Sequence, residues 1–561
     1  MSRFAPRQGG TLILVAAVLL LASAGAWLAL EASAYGSHGR RHAASDRALA
    51  LAREALIAYA ADRPITTAVG PGYLPCPDLD DDGWAEATCG SLTGDSGQEQ
   101  RIGRLPWKTL GLPDLRDGYG ERLWYAVSSK HKGLLNCAAS RACIDMSPDA
   151  AIGTISVRDA SGVVLHDGTS ADITTLDRGG ALAVVIAPGP ALDRLAPFPG
   201  MATTVQRRDC APGQCGAAGE CLTDPPRLTA KCHPANYLDK GPEGRHGGED
   251  NADFVDRNDA AGRTRNTNGF INGPVAAPEG RTAVNDRLTV IAYRDVMPRV
   301  MRRVALEVAQ CLAQYAARPE NTGRYPSPTP TCRQDLTDPS ASWADAPHVV
   351  FGRVPDTPFT RTRMASGGTM LERWWRHTPR TPETFDDLPT RDHACRIAFE
   401  PDDTGTVRSL AAGAPPEEGR TAGLSENAWW NAWKPFVFYA LAPAFRAENA
   451  RAECGGALPC LDVVDRTNAV VARAKHFAVI VAGPPLALSS SPQRHGNGLA
   501  ATDDWLEGPN ARIERANPNP AAPECPMDLF RAACSDNACL KAMQASANAA
   551  FNDVVVAHPR N

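Results

Sequence analysis

The stretch Arg7–Leu21, RQGGTLILVAAVLLL, decides how the chain is read: a basic residue, two glycines, then an unbroken apolar run. From Thr11 to Leu30 about 20 apolar or small residues follow one another, which at 1.5 Å per residue makes a helix of roughly 30 Å, one bilayer core. If kept, that run spans a membrane. If removed, it is an export signal, and Ala32-Ser33-Ala34 just beyond it is an A-x-A cleavage site. Secretory signals usually carry a shorter apolar region, of about 7 to 15 residues.

The remainder favours an exported protein. At 561 residues the chain predicts roughly two to four domains. Its 58 Lys+Arg nearly balance 63 Asp+Glu, and it contains no basic block of the kind that tracks a phosphate backbone, which argues against nucleic acid as a partner. Gly (48) and Pro (46) are abundant and aromatics few, so short strands joined by many long loops are expected. The 16 cysteines form no C-x-x-C pair and no zinc-type spacing with histidine. They occur as local couples, Cys76 with Cys89, Cys137 with Cys143, Cys454 with Cys460 and Cys534 with Cys539, and as the cluster Cys210, Cys215, Cys221, Cys232. Such density predicts disulfides in an oxidising compartment. Arg3 and Arg7 on one side of the apolar run face Arg40 and Arg41 on the other, so charge does not orient it. The cysteines place the large C-terminal part outside the cytoplasm. The connectivity within the 210–232 cluster is not legible.

After the run, DRALALAREALIAYAADRP reads as an amphipathic helix. Asp46 caps its start, Ala48, Leu51, Ala52, Ala55 and Tyr59 share one face, and Pro64 stops it. Further on, ERLWYAVS alternates as a half-buried strand does, after a DGYG turn. Trp107 and Trp124 read as core residues.

Two sets of motifs carry a family resemblance. Gly9–Leu14, GGTLIL, resembles the GFTLIE junction of type IV prepilins and type II secretion pseudopilins. It puts the leader cleavage between Gly9 and Gly10 and makes Leu14 the fifth mature position. Gly10 replaces the usual Phe, and Leu14 replaces the usual Glu, which in the family neutralises the free amine of a neighbouring subunit. Its loss fits a subunit with no neighbour beyond it, as at a tip, or one that never enters a fibre. The second set covers the first 130 or so residues and resembles the head of a group of pilin-like proteobacterial proteins. It comprises Leu56, Ile57, Tyr59 and Ala60, then Leu74 to Asp78, Asp80, Asp82 and Gly83, then Gly103, Leu105 to Trp107, Thr109 to Gly111, Asp117, Gly120, Leu123, Tyr125 and Val127, with Tyr119 where Trp is usual.

The chain also echoes itself. VALEVAQCLAQYAARP, from Val304, follows the pattern of the first helix, with Leu312, Tyr315 and Pro319 standing where Leu56, Tyr59 and Pro64 stood. WYAV at Trp124 is answered by VFYAL at Val437, and LAVVIAPGPAL from Leu182 by FAVIVAGPPLAL from Phe477. NDRLTVIA at Asn285 is answered by NDVVVA at Asn552. The order is preserved throughout, so insertions are assigned to loops. The Gly/Asp/Asn-rich stretch 239–269 between the buried and closing strands of the first copy reads as a long surface loop.

Catalytic motifs are weak. GDSG at Gly94–Gly97 lacks the upstream His and Asp that a trypsin-like site needs, and there is no H-E-x-x-H, G-x-S-x-G, Walker loop or G-x-G-x-x-G. DLDDDGWAE places Asp78, Asp80 and Asp82 at alternate positions before Gly83, as in the first half of an EF-hand loop. The twelfth position is Cys89, and Glu86 stands in for the missing bidentate Glu. Structural calcium and a solvated acidic turn capping itself both fit. Arg302, Arg303, Trp374-Trp375 and Trp429-Trp430 are candidate contact residues.

The expected fold is α+β: an N-terminal transmembrane helix (10–34, after a leader over 1–9) and two tandem pilin-like heads (44–296 and 297–561), each a helix on a small antiparallel sheet, rich in disulfides. The resemblance implies a non-catalytic minor pilin or pseudopilin, single-pass in the inner membrane with its C-terminal part periplasmic. It is cut by a prepilin peptidase, methylated at its new N-terminus and extracted into a type IV pilus or type II secretion pseudopilus, at or near the tip. Other pilins, through the N-terminal helix, and membrane lipid are its implied partners. An anchored or secreted periplasmic binding or adhesive protein outside any fibre is the alternative.

Overall fold

The structure is a computed structural model that describes residues 38–62, 71–87, 98–128, 153–168, 179–195, 204–209, 231–242, 249–252, 269–317, 323–329, 349–355, 359–363, 369–373, 433–446, 453–455, 458–486, 502–513, 540–544 and 552–559, with single positions 89, 131, 221, 246, 331 and 495. Among these residues there are three α-helices, α1 over 38–62, α2 over Tyr293–Ala316 and α3 over Pro509–Arg512; the rest of the regular structure is strands in several small sheets.

This corrects the expected fold class. No helix of the described residues is long and apolar enough to cross a membrane, and the architecture is mostly strand rather than a membrane helix followed by pilin-like heads. The physical reason lies in the two long helices: α2 carries Arg294, Asp295, Arg299, Arg302, Arg303 and Glu307, and α1 carries Asp46, Arg47, Arg53 and Glu54. Each presents one apolar stripe to protein and a charged face elsewhere. The single-pass inner-membrane placement is overturned by the same observation. Gly9, Gly10, Leu14 and the run 11–30 lie outside the described residues.

Two four-stranded antiparallel sheets organise the chain. The first has strands β1 (Ile102–Arg104), β2 (Trp124–Val127), β3 (Ala183–Ala187) and β4 (Arg287–Ile291), hydrogen-bonded in that order. The second has β5 (Phe351–Arg353), β6 (Val437–Leu441), β7 (Phe477–Val481) and β8 (Val554–His558), again in order. The echoed segments occupy equivalent strands: WYAV and VFYAL are β2 and β6, AVVIA and FAVIV are β3 and β7, and the two Asn-Asp segments lead into β4 and β8.

The likeness extends to single residues. Gly103 faces Tyr125 in β1–β2, and Gly352 faces Tyr439 in β5–β6. A Cβ on Gly103 would lie 2.5 Å from the Asp78 carbonyl oxygen, and one on Gly352 2.0 Å from that of Thr329, so both edge strands need glycine where another segment crosses them. The Tyr125 hydroxyl donates to the Pro75 carbonyl at 3.0 Å, and that of Tyr439 to the Pro326 carbonyl at 3.1 Å.

The central strands are buried on both faces, which differs from the half-buried alternation expected for ERLWYAVS. Tyr125 and Val127 of β2 face the helix layer, whereas Trp124 and Ala126 meet Ile155, Val157, Tyr237, Leu238 and Phe270 on the other side. A small mixed sheet provides that second cover: Val157–Arg158 pairs antiparallel with Val164–His166 and parallel with Phe270–Ile271. The second half repeats the arrangement with Leu461–Val464 between antiparallel Val470–Lys475 and parallel Lys541–Met543.

Helix α2 buries Val296, Val300, Val304, Val308 and Leu312 at helical spacing, packs on β7 and β8, and runs without a break across position 297. Helix α1 buries Leu49, Ala52, Leu56, Ile57 and Ala60. Its inward face is rotated from the one expected, because Leu51 is 55% exposed. Asp46 lies inside α1 rather than at its start and pairs with Arg287 of β4 at 2.7 Å. Both helices and both sheets share one continuous apolar cluster. Across it Arg53 of α1 pairs with Asp295 of α2 at 2.6 Å and donates to the Val290 carbonyl of β4.

Candidate functional site

The acidic turn 78–86 is the feature that breaks the likeness of the two halves. LPCPD at Leu74–Asp78 and YPSPT at Tyr325–Thr329 approach their sheets equivalently, each bridging the last residue of the edge strand, Asp78 to Arg104 and Thr329 to Arg353. Only the first continues into a run of carboxylates.

Asp78 is buried and acts as the pivot: one carboxylate oxygen accepts from Asp81 N and the other from Gly83 N, each at 2.7 Å. The tight return requires left-handed backbone at Asp81 (φ 67°) and Gly83 (φ 94°). At Gly83 a Cβ would also sit 2.7 Å from the Trp107 indole nitrogen. Burial raises the Asp78 carboxyl to about 8; the Gly83 N–H works against the shift, and neighbouring Asp81 and Asp80 add to it. Glu86, whose carboxylate accepts from Leu79 N at 3.2 Å, is also raised, mainly by burial.

Asp81, absent from the sequence-derived set, makes the ion pairs. It lies 2.8 Å from Arg122 and 2.8 Å from Lys231, with Arg104 at 3.8 Å. Burial pushes its carboxyl up, but Arg104, Lys231 and Arg122 outweigh that and hold it below the usual carboxylate range. The Arg104 guanidinium lies against the rings of both Trp124 (4.3 Å) and Tyr237 (3.9 Å), whose centroids are 5.4 Å apart. Arg353 repeats this against Phe438 (3.5 Å) and Trp505 (4.6 Å), whose rings are 6.3 Å apart. Two disulfides close the turn. Cys76–Cys89 spans it, and Cys221–Cys232 supports it from outside, with Cys221 N donating to the Asp80 carbonyl at 3.0 Å.

Of the four proposed calcium ligands, Asp78, Asp80 and Glu86 converge, with ligand atoms within 4.8 Å of one another. Asp82 does not join them; its carboxylate caps Trp84 N at 2.7 Å. Cys89, at the position of the bidentate Glu in an EF-hand, is committed to its disulfide. Calcium takes six to eight oxygens, so an EF-hand set is not assembled, and the three converging carboxylates are the part that fits a hard cation.

Cys454–Cys460 is formed as expected. Cys137, Cys143, Cys210, Cys215, the GDSG segment, Trp374-Trp375 and Trp429-Trp430 lie outside the described residues. Trp124 is buried and Trp107 half-buried. Arg302 is exposed on α2, and Arg303 pairs with Glu307 at 3.5 Å.

Sequence reasoning missed a second, duplicated constellation. Asp286, at the start of β4, is buried and accepts on Oδ2 from Asp239 N and Asn251 Nδ2, both at 2.8 Å. Asn251 in turn pairs with Ile271 through its amide, accepting from the N–H at 2.8 Å and donating to the carbonyl at 3.0 Å. In the second half Asp553, Glu507, Asn510 and Met543 make the same bonds. Asn285 and Asn552 clasp the turn after the buried strand, each donating at 2.7 Å to the carbonyl of Pro190 or Pro484. Burial, with Asp239 or Glu507 alongside, holds Asp286 and Asp553 well above the ordinary carboxyl range. The stretch 239–269 is therefore not simply a surface loop: Asp239, Lys240, His246 and Asn251 are buried. The repeated Asn-Asp ahead of each closing strand was the available signal.

No protein-family model, no curated protein and no solved structure matches the chain.

Proposed function

We propose that the chain is a non-catalytic docking subunit of an exported assembly of the type IV pilus or type II secretion pseudopilus kind, processed by a prepilin peptidase between Gly9 and Gly10. The observation that carries this reading is the use made of the residues shared with the pilin-like group. Leu56, Ile57, Leu74, Cys76, Leu105, Leu123, Tyr125 and Val127 are all buried in one cluster. The shared acids serve the backbone: Asp78 caps Asp81 and Gly83, and Asp117 accepts from Tyr119 N at 2.8 Å, Glu121 N at 2.9 Å and Gly189 N at 2.9 Å. A motif whose acids are spent on backbone N–H groups specifies a fold rather than a reaction. The disulfides support an oxidising compartment. On this reading the acidic turn is structural, and where a divalent cation binds, Asp78, Asp80 and Glu86 hold it.

Mass spectrometry of the mature N-terminus, in cells with and without the prepilin peptidase, tests the proposal. A second reading, an exported binding protein outside any fibre, is favoured by Trp84, an aromatic 55% exposed at the tip of the acidic turn. It predicts identical N-termini in the two strains.

A further inference from the structure

A second departure from the likeness of the halves lies where the buried strand of each main sheet begins. The same three main-chain bonds recur there, all at 2.7 to 3.0 Å. In the first half Leu74 N donates to the His131 carbonyl, Ser128 N to that of Leu182 and Leu182 N to that of Ile291. In the second, Tyr325 N donates to the Phe445 carbonyl, Ala442 N to that of His476 and His476 N to that of His558. Leu74, Leu182 and Ile291 therefore stand where Tyr325, His476 and His558 stand. The first three are aliphatic and wholly buried. Their counterparts are a phenol and two imidazoles, with Tyr325 buried and both histidines half-buried. The fold is met by hydrocarbon at these positions, so the exchange of all three together points to a use of their polar atoms.

The three rings gather in one place. Their centroids lie 5.8 Å apart for His476 and His558, 6.2 Å for Tyr325 and His476, and 6.4 Å for Tyr325 and His558. Phe445 stacks on His476 at 3.8 Å and Phe477 on His558 at 5.0 Å, so both imidazoles are braced. The Tyr325 hydroxyl is 3.3 Å from Nδ1 of His476. With Nδ1–H donating to that oxygen, Nε2 carries the lone pair, the usual arrangement of a metal-ligating histidine. An imidazole nitrogen ligates zinc at about 2.0 to 2.1 Å, which puts the ion roughly 3.2 Å from the ring centre, so one ion reaches both rings. Burial, with His558 and Lys475 adding to the effect, lowers His476 to about 4, and its imidazole is neutral and able to ligate at neutral pH. Lys475 donates its Nζ proton to the Pro559 carbonyl at 2.8 Å. We propose that His476 and His558 together hold a late first-row transition-metal dication, zinc or copper, with Tyr325 as the positioning residue that fixes the His476 tautomer. Nitrogen donors set this site apart from the oxygen-lined acidic turn. Its outcome is also separate from that of N-terminal processing.

Calorimetric titration with zinc, on the full chain with its disulfides intact and stripped of metal by EDTA, tests the site. One zinc per chain is expected to bind, and excess calcium should not displace it. His476→Gln and His558→Gln should each weaken binding at least tenfold, whereas His42→Gln, at an exposed position, leaves it unchanged. Tyr325→Phe should weaken it about tenfold while copper bound to that variant keeps the electron-spin splitting of two nitrogen ligands, a signature that either histidine variant reduces to one. Diethyl pyrocarbonate footprinting of the wild type needs no variant to fold: zinc should shield His476 and His558 and leave the exposed His38 and His42 reactive. A wild type that takes up no zinc at millimolar concentration, histidine variants that bind it as tightly as wild type, or bound zinc that shields neither residue overturns the proposal.

Discussion

Asn251 donates from its side chain to Oδ2 of Asp286 at 2.8 Å, and Asn510 makes the same bond to Asp553 at 3.0 Å in the other half of the chain. All four residues are buried. Each asparagine ties the closing strand of its main sheet to the parallel strand of its small sheet, so the two layers cannot separate without breaking polar bonds away from water.

Asn251→Ala removes the partner of Ile271 N and of Ile271 O and one of the two donors to Asp286 Oδ2, which keeps Asp239 N. With roughly 1 to 3 kcal/mol for each buried group left unsatisfied, urea denaturation should show a loss of about 2 kcal/mol or more. Asn510→Ala should cost a similar amount. A loss below about 1 kcal/mol for both would mean that the clasps are not what holds the layers.

Stability should fall as pH rises from neutrality. Asp78 has a folded value of about 8 against 3.8 for the free side chain. The folded chain thus holds an extra proton, and the contribution is full below about 4 and lost as pH rises through about 8. Asp286 and Asp553 act in the same direction. His476 acts oppositely, lowered to about 4 by burial, with His558 and Lys475 adding to the effect. Its contribution is present above 6.5 and is lost as pH falls toward 4, so above 6.5 it does not oppose the raised carboxyls. Denaturation between pH 6.5 and 8.5 should show declining stability, with Asp78→Asn flattening the slope by at most about 1.4 kcal/mol per pH unit. A slope unchanged by Asp78→Asn would contradict the buried-proton account.

Calcium should oppose that decline, since a cation held by Asp78, Asp80 and Glu86 replaces the proton. At pH 8 a tenfold excess over the dissociation constant adds about 1.4 kcal/mol, and the gain should vanish in Glu86→Gln. An unfolding midpoint that millimolar calcium does not move leaves the turn as a self-capped acidic loop.

Replacing Cys76 and Cys89 together by Ala should cost about 2 to 4 kcal/mol and open the acidic turn to proteolysis, because the bond spans the turn. Unchanged cleavage kinetics there would show that Cys221–Cys232 and the ion pairs of Asp81 suffice.

What could be read from the sequence was what local pattern determines. Short runs such as AVVIA and FAVIV declare themselves as buried strands, and the repeated Asn-Asp, Gly-Pro and Tyr residues fall at equivalent places in the two sheets. What could not be read depends on the second cover over each sheet. That cover buries Trp124 as well as Tyr125, draws Asp239 and Asn251 out of an apparently solvated loop, and recruits Asp81 rather than Asp82 through Arg104, Arg122 and Lys231. These partners come from distant parts of the chain, and no periodicity within a window encodes them. The apolar run at the start, which led the fold assignment, lies outside the described residues, and among the described residues no helix is long and apolar enough to cross a membrane.

Processing of the chain as a docking subunit is decided by the mass of its mature N-terminal peptide. The chain is expected to begin at Gly10 in cells that have the prepilin peptidase and at an intact Met1 in cells that lack it. A chain beginning at Tyr35, or the same N-terminus in both, would contradict it.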